Sequence, residues 1–434
     1  MKLAFWAYNL LTTVLLVSIS PFFGAFALVS GKHRDSIRQR LGCYPRQPVK
    51  SARSHRIWIH AASVGEVRVA AAIIRSLAHM LPDADIILST ITGQGQRFAR
   101  ADLGAEIRCI YAPIDWFLSV KKAFAALQPD ILVCLETEIW PNLLQEAHRT
   151  GVRIALINGR ISDRSIKRYL FIRPFMRNIL EHVNAFSMIR DKDAQRIRKL
   201  GAAPERIMVN GNAKYDLLLS QSDDQTKTHI TSLYRLKQNQ PVFIAGSTRR
   251  QEDDIVLDVY RQIIKSFPDT LLIIAPRHVF KSRQIQIAVS EKGLECQLRT
   301  ALDSPGAQRT APIVILDTIG ELQATYSIAS VVFCGGSLVP LGGQNVLEAA
   351  VWGKPVLYGP SMEDFQDAKK LLDKTGGGIQ VADKDQLEKE VLALLANPTK
   401  AERIGDRARQ AVFFNKGAAH KHAVVISNLL SENR

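Results

Sequence analysis

Short apolar runs alternate with amphipathic stretches along most of this chain. RIWIHAAS (56–63), ADIILSTIT (84–92), IRCIYAP (107–113), ILVCLET (131–137), RIALING (153–159) and AFSMIR (185–190) read as buried strands. Helical periods lie between them: in EVRVAAAIIRSLAHML, residues Val67, Ala70, Ala71, Ile74, Leu77 and Leu81 share one stripe. Strands that alternate with helices imply right-handed crossovers and a parallel sheet covered on both faces. The polar stretch SQSDDQTKT (220–228) interrupts the pattern and reads as a linker. Beyond it the alternation restarts with PVFIAGS (241–247), TLLIIAPR (270–277), PIVILD (312–317), SVVFCGGS (330–337), PVLYGP (355–360) and GIQVAD (378–383). The expected fold is therefore α/β, with two doubly wound domains at 31–220 and 221–434, the second including a C-terminal helix. Ligands belong at the carboxyl ends of such strands, in the cleft between the two domains.

Length agrees, since 434 residues exceed one ordinary core and suit two domains of about 150 to 200 residues. Charge adds a partner. Lys plus Arg number 57 against 41 Asp plus Glu, a net charge of +16, which calls for an anionic ligand or surface. The distribution is uneven: no charged residue occurs from Leu3 through Gly31, and eight Lys or Arg against one acid, Asp35, follow between Lys32 and Arg56. An apolar segment followed by a basic collar reads as an N-terminal membrane anchor over 1–30, with the bulk of the chain on the cytoplasmic side. Pro21 and Gly24 are places where it would break into a helix and an interfacial piece. A cleaved signal peptide competes, because AFA at 25–27 offers a cleavage site, yet the basic run directly after it opposes translocation. Five cysteines, an odd number with no C-x-x-C pair, point to reduced thiols.

Candidate chemistry gathers at strand ends. CGGSLVPLGGQNVLEAAVWGKPVLYG (334–359) ends a strand in Gly335, Gly336 and Ser337. It continues through Gly342 and Gly343 and opens a short helix near Gln344 or Asn345 that stops at Gly353. Amides at such a turn suit a phosphate, and Glu348 one turn inside suits ribose hydroxyls; the alternative is that the glycines only make turns. AGSTRRQED (245–253) adds Gly246, Ser247, Arg249 and Arg250, and APRH (275–278) adds Arg277 and His278, donors that would hold a phosphate without a metal. In the first half, Ser63 and Glu66 of AASVGEVR form the S-x-x-E pattern of a capping box, so Glu66 is either a cap or a catalytic acid at a strand-to-helix turn. CLETEIWPNLL (134–144) carries Glu136 and Glu138, which would repel each other on a continuous strand; a turn leaving one acid at the cleft is expected, with Lys214 or Arg160 as the pairing cation. No H-x-x-x-H, G-x-S-x-G or Walker loop occurs, which argues against zinc hydrolase, serine hydrolase and ATPase chemistry.

With these residues assembled, the chain resembles the 3-deoxy-D-manno-oct-2-ulosonic acid (Kdo) transferases of Gram-negative bacteria. The resemblance rests on RQRLG (38–42), ASVGEV (62–67), ETEIWPN (136–142), NGRIS (158–162), GNAKYD (211–216), AGST (245–248), APRH (275–278) and GGQNVLEAA (342–350), in this order. It implies a GT-B fold, with two Rossmann-like domains facing a central cleft, the lipid A precursor taken by the first and CMP-Kdo by the second. By similarity Glu66 is the general base, and Glu138 and Lys214 are functionally required, on the acceptor side or in support, with their individual roles left open. Gly246, Ser247, Arg277, Gly336, Ser337, Gly343, Asn345 and Glu348 line the donor, with no metal and no cofactor. It also implies inversion at the anomeric carbon and a place at the cytoplasmic face of the inner membrane, with no nucleic-acid partner. Two alternatives remain open: another membrane-associated GT-B nucleotide-sugar transferase, and a non-catalytic basic protein docked on a membrane surface.

Overall fold

A computed structural model describes residues 2–30, 34–45, 55–104, 106–220, 222–304 and 306–431, with the side chains of 1–3, 19–35 and 220 outside the description. The A-F-A site and much of the basic collar fall in those gaps. The chain divides into two compact units, Met1–Leu217 with Gly417–Arg434, and Leu218–Lys416.

Each unit is built on one seven-stranded sheet whose pairings are all parallel. In the first, β1 (Arg56–His60), β2 (Asp85–Thr90), β3 (Arg108–Tyr111), β4 (Ile131–Leu135), β5 (Arg153–Gly159), β6 (Ala185–Met188) and β7 (Ile207–Val209) lie in the order β3-β2-β1-β4-β5-β6-β7. In the second, β8 (Val242–Thr248), β9 (Leu271–Pro276), β10 (Cys296–Leu298), β11 (Ile313–Ile315), β12 (Val331–Cys334), β13 (Val356–Tyr358) and β14 (Gly378–Gln380) follow β10-β11-β9-β8-β12-β13-β14. The strand order reverses between β1 and β4 and between β8 and β12, the switch points where such sheets open a crevice. Twelve strands coincide with the apolar runs. The two that do not, β7 and β10, are three-residue edge strands with partly or fully exposed side chains; the apolar triplet of β7 is too short to stand out and β10 carries Gln297 at its centre.

The last helix, Ala418–Ser431, differs from expectation. Ala419, Ala423, Ile426 and Leu430 share a core with Ile59, Ala70 and Ile74 of the first unit. The carboxylate of Asp216 accepts the amides of Gly417 and Ala419, both at 2.6 Å. His422, fully buried and driven down to a pKa of about 4 by burial, lies 2.7 Å from the Ser187 hydroxyl on β6. Residues 417–434 thus belong with the first sheet rather than the second domain. An amphipathic stripe shows that a helix packs, not on which sheet. The linker stretch is also more ordered than its composition implies: Asp223 caps the helix Asp224–Leu233, accepting the Thr226 amide at 2.7 Å.

The N-terminal helix runs unbroken over Lys2–Ser30, through Pro21 and Gly24. One face is docked on the first unit: the Tyr8 hydroxyl donates to Asp115 Oδ2 at 2.7 Å, Trp116 Nε1 donates to Thr13 Oγ1 at 3.0 Å, and the rings of Phe5 and Tyr8 pack on Phe175. The other face leaves Trp6, Leu10, Leu11, Leu15 and Val17 exposed. Among the described residues no helix is long and apolar enough to cross a membrane.

Candidate functional site

At the end of β1 the chain turns into the helix Val64–Met80, and Ser63 is its N-cap. The Ser63 hydroxyl accepts the Glu66 amide at 3.4 Å and donates to Glu66 Oε1 at 2.9 Å, while the Ala62 amide donates to Oε2 at 2.8 Å. Capping and aiming the acid are therefore one arrangement. Glu66 is 8% exposed; burial raises its pKa above the ordinary carboxylate range, the charges of Glu138 and Glu136 add to the rise, and the Ala62 and Ser63 hydrogen bonds partly oppose it. Beside it Gly65 faces open space, where an added Cβ would meet only Ser63 Oγ at 3.8 Å.

The second acidic cluster turns as expected. β4 ends at Leu135, Glu136 takes a left-handed backbone (φ 51°), and the Glu138 amide donates back to the Leu135 carbonyl at 3.2 Å. The turn sends the two acids to different partners. Glu136 Oε1 meets Lys214 Nζ at 2.6 Å. Glu138 Oε2 accepts the Trp140 indole at 2.5 Å and lies 3.7 Å from His60 Nε2. Burial presses the Glu138 pKa upward, but the His60 and Trp140 groups outweigh it and bring the carboxyl below its usual range. Arg160 pairs with neither acid; its carbonyl accepts the Thr137 hydroxyl. His60, 2% exposed, is steadied by Ser89 Oγ at 3.0 Å from its Nδ1. Asp115, 5% exposed, takes the Asn142 and Leu143 amides at 3.1 and 2.8 Å and so supplies the cap that Trp140 does not provide to the helix Pro141–Arg149. A pocket opens between His60, Asp115, Trp140 and Leu143.

In the second unit the expected donor-side residues collect at the ends of three neighbouring strands, β9, β8 and β12. β8 carries a register shift between Gly246 and Thr248 that leaves Ser247 bulged with φ 56°. Arg277 is exposed, its amide tied to the Thr248 carbonyl at 3.0 Å. The glycine-rich loop, in contrast, is turned inward. The amides of Gly336 and Ser337 donate to the carboxylate of Glu252 at 2.6 and 3.0 Å. The Ser337 hydroxyl, fully buried, donates to the Cys334 carbonyl and accepts the Gly359 amide at 2.8 Å. Gly246 is a glycine because a Cβ would stand 1.8 Å from the Tyr326 hydroxyl, and at Gly343 (φ +75°) a Cβ would stand 2.4 Å from Met362 Sδ. The helix after the loop is one turn, Leu347–Ala350, with Asn345 Oδ1 accepting the Leu347 amide at 3.3 Å and Asn345 Nδ2 donating to Glu348 Oε1 at 3.2 Å. It is too short to bring the dipole that the sequence pattern promised.

Residues 35–217 match the family model for 3-deoxy-D-manno-octulosonic-acid transferase (kdotransferase). Over 427 residues the chain is 30% identical to the 3-deoxy-D-manno-octulosonic acid transferase of Haemophilus influenzae, an alignment covering 97% of this chain and 98% of that one. The chain belongs to the Kdo transferase family. It is 27% identical to the 3-deoxy-D-manno-octulosonic acid transferase of Chlamydophila psittaci across 91% of this chain and 87% of that one. A putative UDP-N-acetylglucosamine 2-epimerase from Listeria monocytogenes shares the fold, with a TM-score of 0.60 and 14% identity over 87% of this chain and 97% of that one.

In this Kdo transferase the first-unit residues singled out by sequence come together around the ends of β1 and β4. Two partners escaped notice, His60 and Asp115. His60 ends an apolar strand and reads as part of it. Asp115 stands alone in a loop, and only the fold brings it to Asn142. On the second unit Glu252 was the omission, hidden among the acids that ordinarily open a helix. Because the Ser337 hydroxyl is spent on Cys334 and Gly359, Ser337→Ala should destabilise the protein by about 1–3 kcal/mol through the orphaned buried groups, read from a denaturation midpoint. Unchanged stability with weakened nucleotide binding would instead return Ser337 to the ligand.

Proposed function

We propose that this enzyme transfers Kdo from CMP-Kdo to the lipid A precursor lipid IVA, with inversion at the anomeric carbon and Glu66 as general base. The observation that carries the reading is the contrast between a buried and a half-buried acid at adjacent strand ends: Glu66 is driven toward holding a proton and Glu138 away from it. Environments that push paired carboxyls apart mark acid–base roles. On this reading the acceptor hydroxyl oxygen bonds to the anomeric carbon of Kdo, its proton passes to the Glu66 carboxylate, and the bond to the CMP phosphate breaks with its electron pair leaving on CMP. Glu138 stays ionised beside His60 and Trp140, and with the Lys214–Glu136 ion pair it supports the acceptor side. Ser247 and Arg277, the donor-side residues whose side chains are not committed to the core, would face the nucleotide phosphate, and Glu348 its ribose. The resemblance adds the GT-B arrangement, and no metal or cofactor enters the proposed reaction.

The exposed apolar face of the N-terminal helix supports a place on the cytoplasmic face of the inner membrane, with the helix lying in the interface while Phe5, Tyr8 and Thr13 on its other face grip the first unit. Wild type should sediment with phosphatidylglycerol vesicles and the double variant Leu10→Glu, Leu11→Glu should not; equal sedimentation removes this helix from membrane attachment.

Glu66→Gln retains an acceptor for the Ala62 amide but cannot take up a proton. It should leave stability within about 1 kcal/mol, the scale of a cap, while abolishing product measured by mass analysis after incubation with CMP-Kdo and lipid IVA. Surviving activity would move the base elsewhere. The Glu138 charge helps raise Glu66, so Glu138→Gln should lower the Glu66 pKa and shift the acid limb of kcat/KM to lower pH for whatever activity remains. A limb that stays in place would uncouple the two acids.

A further inference from the structure

Glu252 opens the helix Glu252–Ser266 and is fully buried. Its carboxylate accepts four backbone N–H groups: Oε1 from Ser337 at 3.0 Å and Leu338 at 2.9 Å, and Oε2 from Gly336 at 2.6 Å and Arg249 at 2.9 Å. Three of these amides are consecutive in the loop after β12. The fourth belongs to the loop after β8, the strand beside it at the switch point. Consecutive amides around a left-handed glycine, here Gly336 with φ 67°, form the concavity that elsewhere cradles a phosphate. In this protein the concavity already holds an anion of its own. The Arg249 side chain is bent over the same place: its Cδ lies 3.6 Å from where a Gly336 Cβ would stand, and its Nε is buried without a hydrogen-bond partner among the described residues.

We propose that Glu252 is a positioning residue, an internal counterpart of a bound phosphate, which locks the loops after β8 and β12 together and thereby presents the Arg249 guanidinium to the anionic group of the nucleotide donor. The loop amides organise the site and the arginine binds. A guanidinium with an unpartnered, desolvated Nε is a ready donor for a phosphate oxygen, and pairing there is stronger than in water. The inference rests on the nucleotide-sugar reading given above.

Calorimetry of wild type with CMP and with UDP comes first: binding of UDP alone overturns the CMP-Kdo assignment and directs the same tests to UDP, whereas binding of neither overturns both readings. Glu252→Gln, which turns an NH2 toward amide donors, should raise the donor KM by at least tenfold and leave the acceptor KM within about twofold. Glu252→Ala empties a cavity ringed by four N–H groups, so about 0.1 M formate should restore its donor KM while doing nothing for wild type. Arg249→Ala, outside that cavity, should weaken nucleotide binding at least tenfold with an unchanged melting temperature and no response to formate. An unchanged donor KM in folded Glu252→Gln, formate restoring melting temperature but not donor KM in Glu252→Ala, or full nucleotide binding by Arg249→Ala would each overturn the proposal.

Discussion

A carboxylate taken out of water needs donors, and this protein supplies them chiefly from its own backbone. Glu66 takes the Ala62 amide, Asp115 takes those of Asn142 and Leu143, Asp193 that of Ile161, Asp216 those of Gly417 and Ala419, and Glu252 four at once. Losing such an acceptor strands buried N–H groups, at a cost of about 1–3 kcal/mol each. These acids therefore act as fasteners: each binds a loop that has no ladder of its own. Parallel sheets make this necessary, because every strand delivers its chain to the same edge and the turns there must be held by something other than strand pairing.

The same edge concentrates backbone strain. Glu136, Asn158 and Ser247 have positive φ and lie at or just beyond the ends of β4, β5 and β8, and the register slips beside Asn158 as it does beside Ser247. Non-glycine residues hold such conformations only where surrounding contacts impose them. At Asn158 the imposing contact is visible, its side-chain oxygen accepting the Ala213 amide at 2.9 Å, next to Lys214. Strain on β5 is thus linked to the position of the cation that meets Glu136. One hydrogen bond carries geometry from a bulge to an ion pair.

Much of this was legible in the residues. Short apolar runs and the period-3.6 stripes between them located both sheets, since buried parallel strands are nearly continuous apolar runs, and S-x-x-E announced the cap that holds Glu66. Partners far apart in sequence were not legible. Nothing around Lys214 distinguishes Glu136 from Glu138 until the left-handed turn at Glu136 separates them. Glycines were read as letting backbone amides approach a phosphate, yet at Gly246 the space a side chain would need is filled by Tyr326 and at Gly343 by Met362. A glycine reports that space is needed, and only the fold shows what occupies it.

The return of the chain to the first unit has a consequence for its synthesis. The second unit is one continuous stretch, whereas the first is closed by the helix Ala418–Ser431, which leaves the ribosome only after the whole second unit has. Until then Ile59, Ala70 and Ile74 lack the apolar cover that Ala423 and Ile426 provide. The inserted unit can fold beforehand and bring residues 217 and 417 together, so that much of the entropy of closing this long loop is already spent when Asp216 captures Gly417. The first unit is begun before the second and completed after it, and it passes its most aggregation-prone interval while the second unit is being translated.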